Sequence, residues 1–133
     1  RHSRRLAGVA KVTRAQWDTG AAFADEIGVS TSLSPKFPNI SVPYGALVPE
    51  KLDGIIGAGR HIGSDATSHS FLREVPQCWM TGQAAGVAAA VAASTGKQPR
   101  DVDVRAVQSE LLRQGAYLSP PIEAAVAQAA AAE

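Results

Sequence analysis

"AGRHIGSDATSHSFLREVPQCWMTGQAAGVAAAVAA", residues 58–93, holds the features that decide the fold. A short apolar run, residues 55–58, leads into a glycine and an arginine, and sixteen residues after that arginine stands Pro76. Proline is favoured in the first turn of a helix, and the residues that follow are almost all Ala, Gly and Val. The pattern therefore predicts a strand, a loop and a helix from Pro76 to about Ser94, with Gly96 as its C-terminal stop.

The strand-loop-helix unit has the properties of a ligand site. Gly57 and Gly59 allow a ligand or a second backbone to come very near the end of the strand. A helix N-terminus offers unpaired N–H groups and about half a positive charge, which suits an anion or an electron-rich carbonyl. Small residues on one helix face predict close packing against a sheet or another helix: Gly82, Ala85, Gly86 and Ala89. A tightly packed α/β crossover without a ligand is the alternative interpretation.

The first third of the chain predicts mixed structure. Residues 6–12 are an apolar stretch that suits a strand. Thr13 is a plausible N-cap for a helix through residue 28, with Trp17 and Ile27 on its apolar side. Residues 40–49 are predicted to be extended, because their two prolines oppose a helix.

The remaining segments are predicted from their capping residues and composition. Residues 61–74 are expected to form a polar loop. Asp103 can cap a helix over residues 104–114, with apolar side chains at helical spacing and Gly115 closing it. Residues 118–133 form an alanine-rich tail of low complexity, for which a helix is possible but not required.

Composition excludes several classes of function. The 133 residues include 13 Lys or Arg and 12 Asp or Glu, so no basic excess points to nucleic acid or an anionic membrane. The longest apolar run, residues 87–93, is far shorter than the ~20 residues of a membrane span. The lone cysteine, Cys78, forbids an intramolecular disulfide, and with no secretory signal visible we expect a cytoplasmic protein. The His and Cys residues lack metal-ligand spacing, so no metal site is expected.

Two stretches together carry a specific resemblance. "VPYGALVPEKLDGIIGAGR" and "REVPQCWMTGQAAGVAAA" resemble the C-terminal signature of FAD-dependent oxidoreductases of the glutathione-reductase-like superfamily. The most similar pattern is that of a bacterial family with "LVAGRCIS" followed by "RVMPTCMALGQAAG". The resemblance spans residues 42–117 and implies the C-terminal part of a two-domain, Rossmann-like α/β FAD-binding fold. Residues 1–41 are weakly similar to the segment that returns from the substrate domain.

The resemblance implies hydride transfer between a small organic substrate and FAD. It assigns cofactor contacts to nine positions: Gly57, Ala58, Gly59, Arg60, His61, Pro76, Gln77, Cys78 and Trp79. The first group would border the ribityl-pyrophosphate part, and the helix start would meet the pyrimidine end of the flavin. Reduced flavin gathers negative charge there, which a helix dipole stabilises.

Three residues are candidates for catalysis. His69 matches a position where the family pattern often has His, and its pKa lies near neutrality. Its alternative is an exposed loop histidine. Arg73 suits a substrate carboxylate or the flavin carbonyl, or else a salt bridge to Glu74 or Asp65. Tyr44 follows Pro43 in an extended segment that the family brings near the active site, with core packing as the alternative.

The sequence departs from the family in ways that imply a partner. The GxGxxG fingerprint that binds the ADP half of FAD is absent, and "GIIGAG" at residues 54–59 has the wrong spacing. We therefore expect a larger polypeptide carrying that half, as the rest of a precursor or as a separate subunit. The start at Arg1 favours cleavage or an unseen beginning. Two rival hypotheses are an interaction module that docks on a partner chain, and acyl transfer by Ser64, Asp65 and His69.

Overall fold

The computed structural model describes residues 4–31 and 34–132. In those residues it has five α-helices, two β-strands and two single 3-10 turns. The helices are α1 (Arg14–Trp17), α2 (Ala66–Leu72), α3 (Val75–Thr95), α4 (Val104–Arg113) and α5 (Pro120–Ala131). The strands are β1 (Glu26–Ser30) and β2 (Ile40–Pro43), and the 3-10 turns are Tyr44–Ala46 and Pro99–Asp101.

Helix α3 has the bounds that its sequence predicts. Pro76 lies in the first turn, and Gly96 ends the helix with a left-handed φ of 67°. The residues on its buried face are mostly small: Thr81, Ala84, Ala85, Val87, Ala88 and Ala92. Because these side chains are short, α3 contacts both β1 and α4. A Cβ on Gly28 of β1 would lie 1.8 Å from the Met80 sulfur, so any side chain at this position would require the Met80 side chain to move.

The predicted small face of α3 is not the face that packs. Ala85 is buried, but Gly82, Gly86 and Ala89 are exposed, and no atom lies within 4 Å of a Cβ built on either glycine. The expectation of close packing was therefore wrong for most of this face. The helix is rotated so that Ala84 and Ala88, which are fully buried, face the core instead.

The prediction of a long helix after Thr13 is wrong beyond the first turn, because α1 ends at Trp17. The Gln16 side chain accepts from the Thr13 N–H at 3.1 Å, which caps α1. Gly20 then adopts a φ of 69°, which an α-helix does not allow. Trp17 and Ile27 are both buried, as expected, but they belong to different elements that share one core.

Two segments that were expected to be strands, residues 6–12 and 55–58, are not strands in the structure. Residues 6–12 make only isolated bridges, Gly8 with Pro49 and Val12 with Ser64. Residues 55–58 have no strand neighbour, although the Gly57 N–H donates to the Leu47 carbonyl at 2.8 Å. The described strands are instead an antiparallel pair, β1 with β2.

Four further segments can be compared with their predictions. The expected polar loop contains α2, whose N-cap Asp65 accepts from the Ser68 N–H at 2.7 Å. Asp103 caps α4 as predicted, accepting from the Arg105 N–H at 2.9 Å. The alanine-rich tail forms α5. The segment after β2 is not extended throughout, because the 3-10 turn interrupts it.

One hydrophobic core contains residues from both segments that the resemblance distinguishes, residues 1–41 and residues 42–117. Val12, Trp17 and Ile27 lie in the same cluster as Leu47 and Leu111. β2 itself runs across the boundary between these two segments. A second, small cluster attaches α5: Leu118, Ile122 and Val126.

A buried carboxylate connects β1, β2 and the start of α5. Glu26 is 0 % exposed. Its Oε2 accepts from Ser41 Oγ at 2.5 Å and from Ser119 Oγ at 3.0 Å, and its Oε1 accepts from the Ser119 N–H at 2.6 Å. The Gln108 amide of α4 donates to the Glu26 carbonyl at 2.9 Å. Four elements are therefore held at one residue.

The described residues include no helix that is both long and apolar enough to cross a lipid bilayer.

Replacing Glu26 tests this connection. Glu26→Ala leaves the Ser119 N–H and the Ser41 hydroxyl without their acceptor and opens a cavity. We expect it to lower the free energy of unfolding by roughly 2 to 4 kcal/mol in urea titrations. Glu26→Gln keeps one acceptor oxygen for Ser119 and should cost less. The control is Glu123→Ala on the exposed face of α5. Equal stability of Glu26→Ala and the control would contradict the role of Glu26.

Candidate functional site

The turn after residues 55–58 is tied to the first turns of α3 by one hydroxyl. The Gly59 N–H donates to Thr81 Oγ1 at 2.9 Å, and that hydroxyl donates to the Gln77 carbonyl at 2.9 Å. Thr81 is fully buried. Gly59 has a φ of 86°, which favours glycine. The two parts of the predicted unit are therefore held side by side, although no strand precedes the turn.

The first turn of α3 is not capped by a side chain. Glu74 is the N-cap residue, but its carboxylate makes no capping hydrogen bond and lies 3.7 Å from the Arg73 guanidinium. No acidic residue lies in the first turn. The Cys78 N–H already donates to the Glu74 carbonyl at 3.0 Å. Helix geometry leaves the N–H groups of Val75 and Gln77 without partners inside the helix.

The structure brings together both groups of expected cofactor positions. A Cβ built on Gly59 would lie 3.9 Å from the Cys78 sulfur, so the turn and the helix start are neighbours. Gly57 is buried, and Ala58, Gly59, Gln77 and Cys78 are half-buried. The exposed members are Arg60, His61, Pro76 and Trp79. The Trp79 side chain is 74 % exposed, the most of any large apolar residue in the described ranges.

His69 and Arg73 lie on α2, next to the start of α3. His69 is 8 % exposed and sits within α2, so it is not the exposed loop residue of the alternative interpretation. Arg73 ends α2 and pairs with Glu74, one of the two salt bridges considered for it. The Cys78 sulfur lies 3.6 Å from the Arg73 carbonyl, which joins the two helices.

Tyr44 lies apart from the start of α3. Its ring is 4 % exposed, and its hydroxyl donates to the Pro99 carbonyl at 2.7 Å. Pro99 follows the C-terminal end of α3, so this hydroxyl is near the opposite end of the helix. Burial raises the pKa of Tyr44 to about 12. Tyr44 therefore lies in the core, and the structure does not bring it together with His69 and Arg73.

The comparison with known families now bears on this geometry. A family model described as FAD dependent oxidoreductase matches residues 1–111. The chain belongs to the FAD dependent oxidoreductase family. FAD is accordingly the cofactor, and the family is one of oxidoreductases. No curated protein and no solved structure matches the chain.

The acyl-transfer hypothesis does not suit this FAD dependent oxidoreductase. Both oxygens of Asp65 accept backbone N–H groups, from Ser68 at 2.7 Å and from Arg14 at 2.8 Å. The buried Ser64 hydroxyl has no hydrogen-bond partner among residues 4–31 and 34–132, so it does not contact His69 as a nucleophile would contact its base. In the same ranges, no three His, Cys, Asp or Glu side chains are grouped as metal ligands.

Thr81 is the site residue that the sequence analysis did not identify. Its only sequence signal is a hydroxyl inside a helix of small residues, and its partner Gly59 is 22 residues away. A threonine inside a helix usually bonds its own helix backbone, so the second contact cannot be read from local pattern.

Removing the Thr81 hydroxyl tests the connection to Gly59. Thr81→Val keeps the side-chain shape but leaves the Gly59 N–H without its acceptor. We expect faster amide hydrogen exchange at Gly59 and a loss of about 1 to 3 kcal/mol in the free energy of unfolding. Thr95→Val is the matched control, since Thr95 also donates to a carbonyl four residues earlier but is exposed. Unchanged exchange at Gly59 would contradict the connection.

The pKa of Asp65 predicts a pH dependence of stability. Burial alone would raise this pKa, but hydrogen bonds from the Ser68 and Arg14 backbone and the charge of Arg5 outweigh it and hold the pKa below 3.8. A carboxyl whose pKa is lower in the native state stabilises it above the unfolded pKa, and this stabilisation is lost as pH falls through the native pKa.

Asp65→Asn should therefore be less stable than the wild type by about 1 kcal/mol at neutral pH, because one acceptor oxygen is replaced by an amide group. Thermal unfolding from pH 7 down to pH 3 should show the difference shrinking below about pH 4. Asp103→Asn at the N-cap of α4 is the control. A difference that stays constant down to the lowest pH would contradict this role of Asp65.

Proposed function

We propose that this chain supplies the part of an FAD-dependent oxidoreductase that faces the pyrimidine edge of the flavin. The reaction is hydride transfer between a small organic substrate and FAD. One observation carries the proposal: the first turn of α3 has no side-chain cap and is held next to the Gly59 turn by Thr81. Uncapped N–H groups at a helix start suit an electron-rich carbonyl edge.

The residues of this unit fit one part of the cofactor. The N–H groups of Val75 and Gln77 would meet the carbonyl edge of the flavin, and the stretch from Gly57 to His61 would border the ribityl part. When bound, FAD would supply the acceptor or donor of a hydride, which is two electrons and one proton. The positive end of the α3 dipole stabilises negative charge next to it, which raises the reduction potential.

His69 and Arg73 enter the proposal as positioning residues. His69 is buried on α2, and Arg73 is paired with Glu74 at the junction with α3. In this proposal Arg73 helps to fix the first turn of α3 through its contacts with Glu74 and Cys78, and the buried His69 lies one helical turn before it on α2. Tyr44 has no part in the reaction in this proposal.

The proposed site is completed by a polypeptide segment that carries the glycine-rich loop for the ADP half. The sequence has no GxGxxG, and residues 55–58 form no strand and have no strand beside them. Exposed apolar side chains lie in the same region: Leu52, Ile55, Val75 and Trp79. A backbone edge and apolar residues of this kind are typical of a surface that another segment covers.

Absorption spectroscopy of the purified protein, with the mass of every chain in it, tests the proposal. We expect the two visible bands of oxidised flavin and a glycine-rich FAD-binding segment, in the same polypeptide or in a second one. Loss of the bands on anaerobic addition of substrate would follow. A colourless protein that neither contains nor takes up FAD would contradict the proposal and favour the interaction module.

A charge placed at the start of α3 tests the proposed contact with the flavin. Val75→Glu adds a carboxylate beside the N–H groups and should lower the flavin reduction potential, by roughly 30 mV for each 1.4 kcal/mol of lost stabilisation. Val75→Gln is the neutral control of the same shape and should leave the potential near that of the wild type. Spectroelectrochemical titration measures both. Equal potentials for the two variants would place the flavin away from this turn.

A further inference from the structure

A cavity of about 640 Å³ opens beside the first turn of α3. The end of β1, α2, the segment around Phe37 and the residues Pro76 and Gln77 surround it. Small-molecule sites commonly have volumes of roughly 300 to 1,000 Å³. The cavity therefore has the size of a substrate site, and it adjoins residues that the proposed function places against the flavin.

The lining of the cavity is rich in hydroxyl groups and poor in charge. Four hydroxyl side chains line it: Ser30, Thr31, Ser34 and Ser70. Glu74 is the one charged residue among the described lining residues, and none of them is a Lys, Arg or His. The positive end of α3 also adjoins the cavity, but the proposed function assigns it to the flavin, which leaves no positive partner for a ligand carboxylate among the described lining side chains. The lining therefore favours a neutral ligand with many hydroxyl groups.

An aromatic wall gives the cavity an apolar side. The rings of Phe37 and Phe71 line it with centroids 5.6 Å apart. Trp17 packs edge-on against both rings, at 6.3 Å and 5.8 Å, and its indole N–H donates to Ser68 Oγ at 2.8 Å. This arrangement fixes both phenyl rings. A ring with C–H groups on one face can bury that face against such a wall while its hydroxyl groups remain hydrogen-bonded.

The Gln77 side chain lacks one hydrogen-bond partner. Its Nε2 donates to Ser30 Oγ at 3.0 Å, while its buried Oε1 has no partner among the described residues. If the amide were turned around, its oxygen would meet Ser30 and its nitrogen would lack the partner. The Oε1 atom is itself shielded from the cavity, so a ligand reaches this end of the amide only when the Gln77 side chain turns. A ligand hydroxyl then satisfies either end, because it both donates and accepts.

We propose that this cavity is the substrate site and that it binds a neutral polyhydroxylated ring, with Gln77 bonding a ligand hydroxyl and Phe37 and Phe71 packing on a C–H face. The binding step is argued from the cavity, and only the oxidation rests on the proposed function. In that step one alcohol carbon loses a hydride to bound FAD and its hydroxyl loses a proton to solvent, which gives a carbonyl.

Saturation-transfer NMR on the purified flavoprotein tests binding without chemistry. The probes are D-glucose, myo-inositol and D-glucuronate, and the last differs from glucose only by a carboxylate in place of a hydroxymethyl group. We expect transfer to at least one neutral probe and weaker transfer to glucuronate. No transfer to either neutral probe, or stronger transfer to glucuronate, would overturn the proposal.

Two variants link binding to the cavity. Gln77→Leu keeps the side-chain size without its polar atoms. Thr31→Val changes an exposed lining hydroxyl and should leave folding intact. We expect the dissociation constant of the bound probe to rise about 5- to 10-fold in Gln77→Leu, as for one lost hydrogen bond. Ser109→Ala on the exposed face of α4 is the control. Unchanged binding in both lining variants would overturn the site.

Anaerobic bleaching of the flavin separates this inference from the proposed function. Binding with bleaching by the same neutral ring supports both. Binding that depends on Gln77 but gives no bleaching supports the cavity site and contradicts hydride transfer there. Bleaching by glucuronate alone supports the oxidoreductase and overturns the neutral ligand class.

Discussion

The hydrogen bond from the Gly59 N–H to the Thr81 hydroxyl is the contact on which the functional part of the structure depends. It joins a glycine turn to a helix that begins sixteen residues after Gly59. It holds the start of α3, which has no side-chain cap, next to that turn. The small side chains of α3 serve the same arrangement on the other side, because they let the helix lie directly on β1 and α4.

The polar residues of the structure differ in how completely their hydrogen bonds are satisfied within the protein. Glu26 and Asp65 have their carboxylates taken by protein donors, and these residues hold elements together. Tyr44 does the same through Pro99. Gln77 differs, because one end of its amide meets Ser30 and the other meets no described residue. The buried Ser64 hydroxyl also lacks a partner among the described residues, but of the two only Gln77 lines the cavity proposed for substrate.

Local chemistry made part of this fold predictable. Pro76 and Gly96 fixed the bounds of α3, and Asp103 fixed the start of α4, because capping and chain stops act within a few residues. The helix expected after Thr13 does not form beyond residue 17. Trp17 and Ile27 both face the core, as one helix would allow, but they do so from two separate elements, α1 and β1. Residues 55–58 have the composition of a strand, but a strand also needs a neighbour, and composition does not supply one.

The site was predictable only in part for the same physical reason. Resemblance indicated Gly59, Pro76 and Gln77, and the structure brings that turn and helix start together. Thr81 could not be found, because its contact with Gly59 exists only after folding. The aromatic wall of Trp17, Phe37 and Phe71 likewise joins residues far apart in sequence.

Amide hydrogen exchange of the purified flavoprotein, with FAD bound and with FAD removed, tests the central claim most directly. The claim is that the free N–H groups at the start of α3 meet the flavin. It predicts slower exchange at Val75 and Gln77 when FAD is bound, with little change at the far end of α3 near Thr95. FAD binding that leaves exchange at Val75 and Gln77 unchanged would contradict the claim, because the cofactor would then lie elsewhere on the protein.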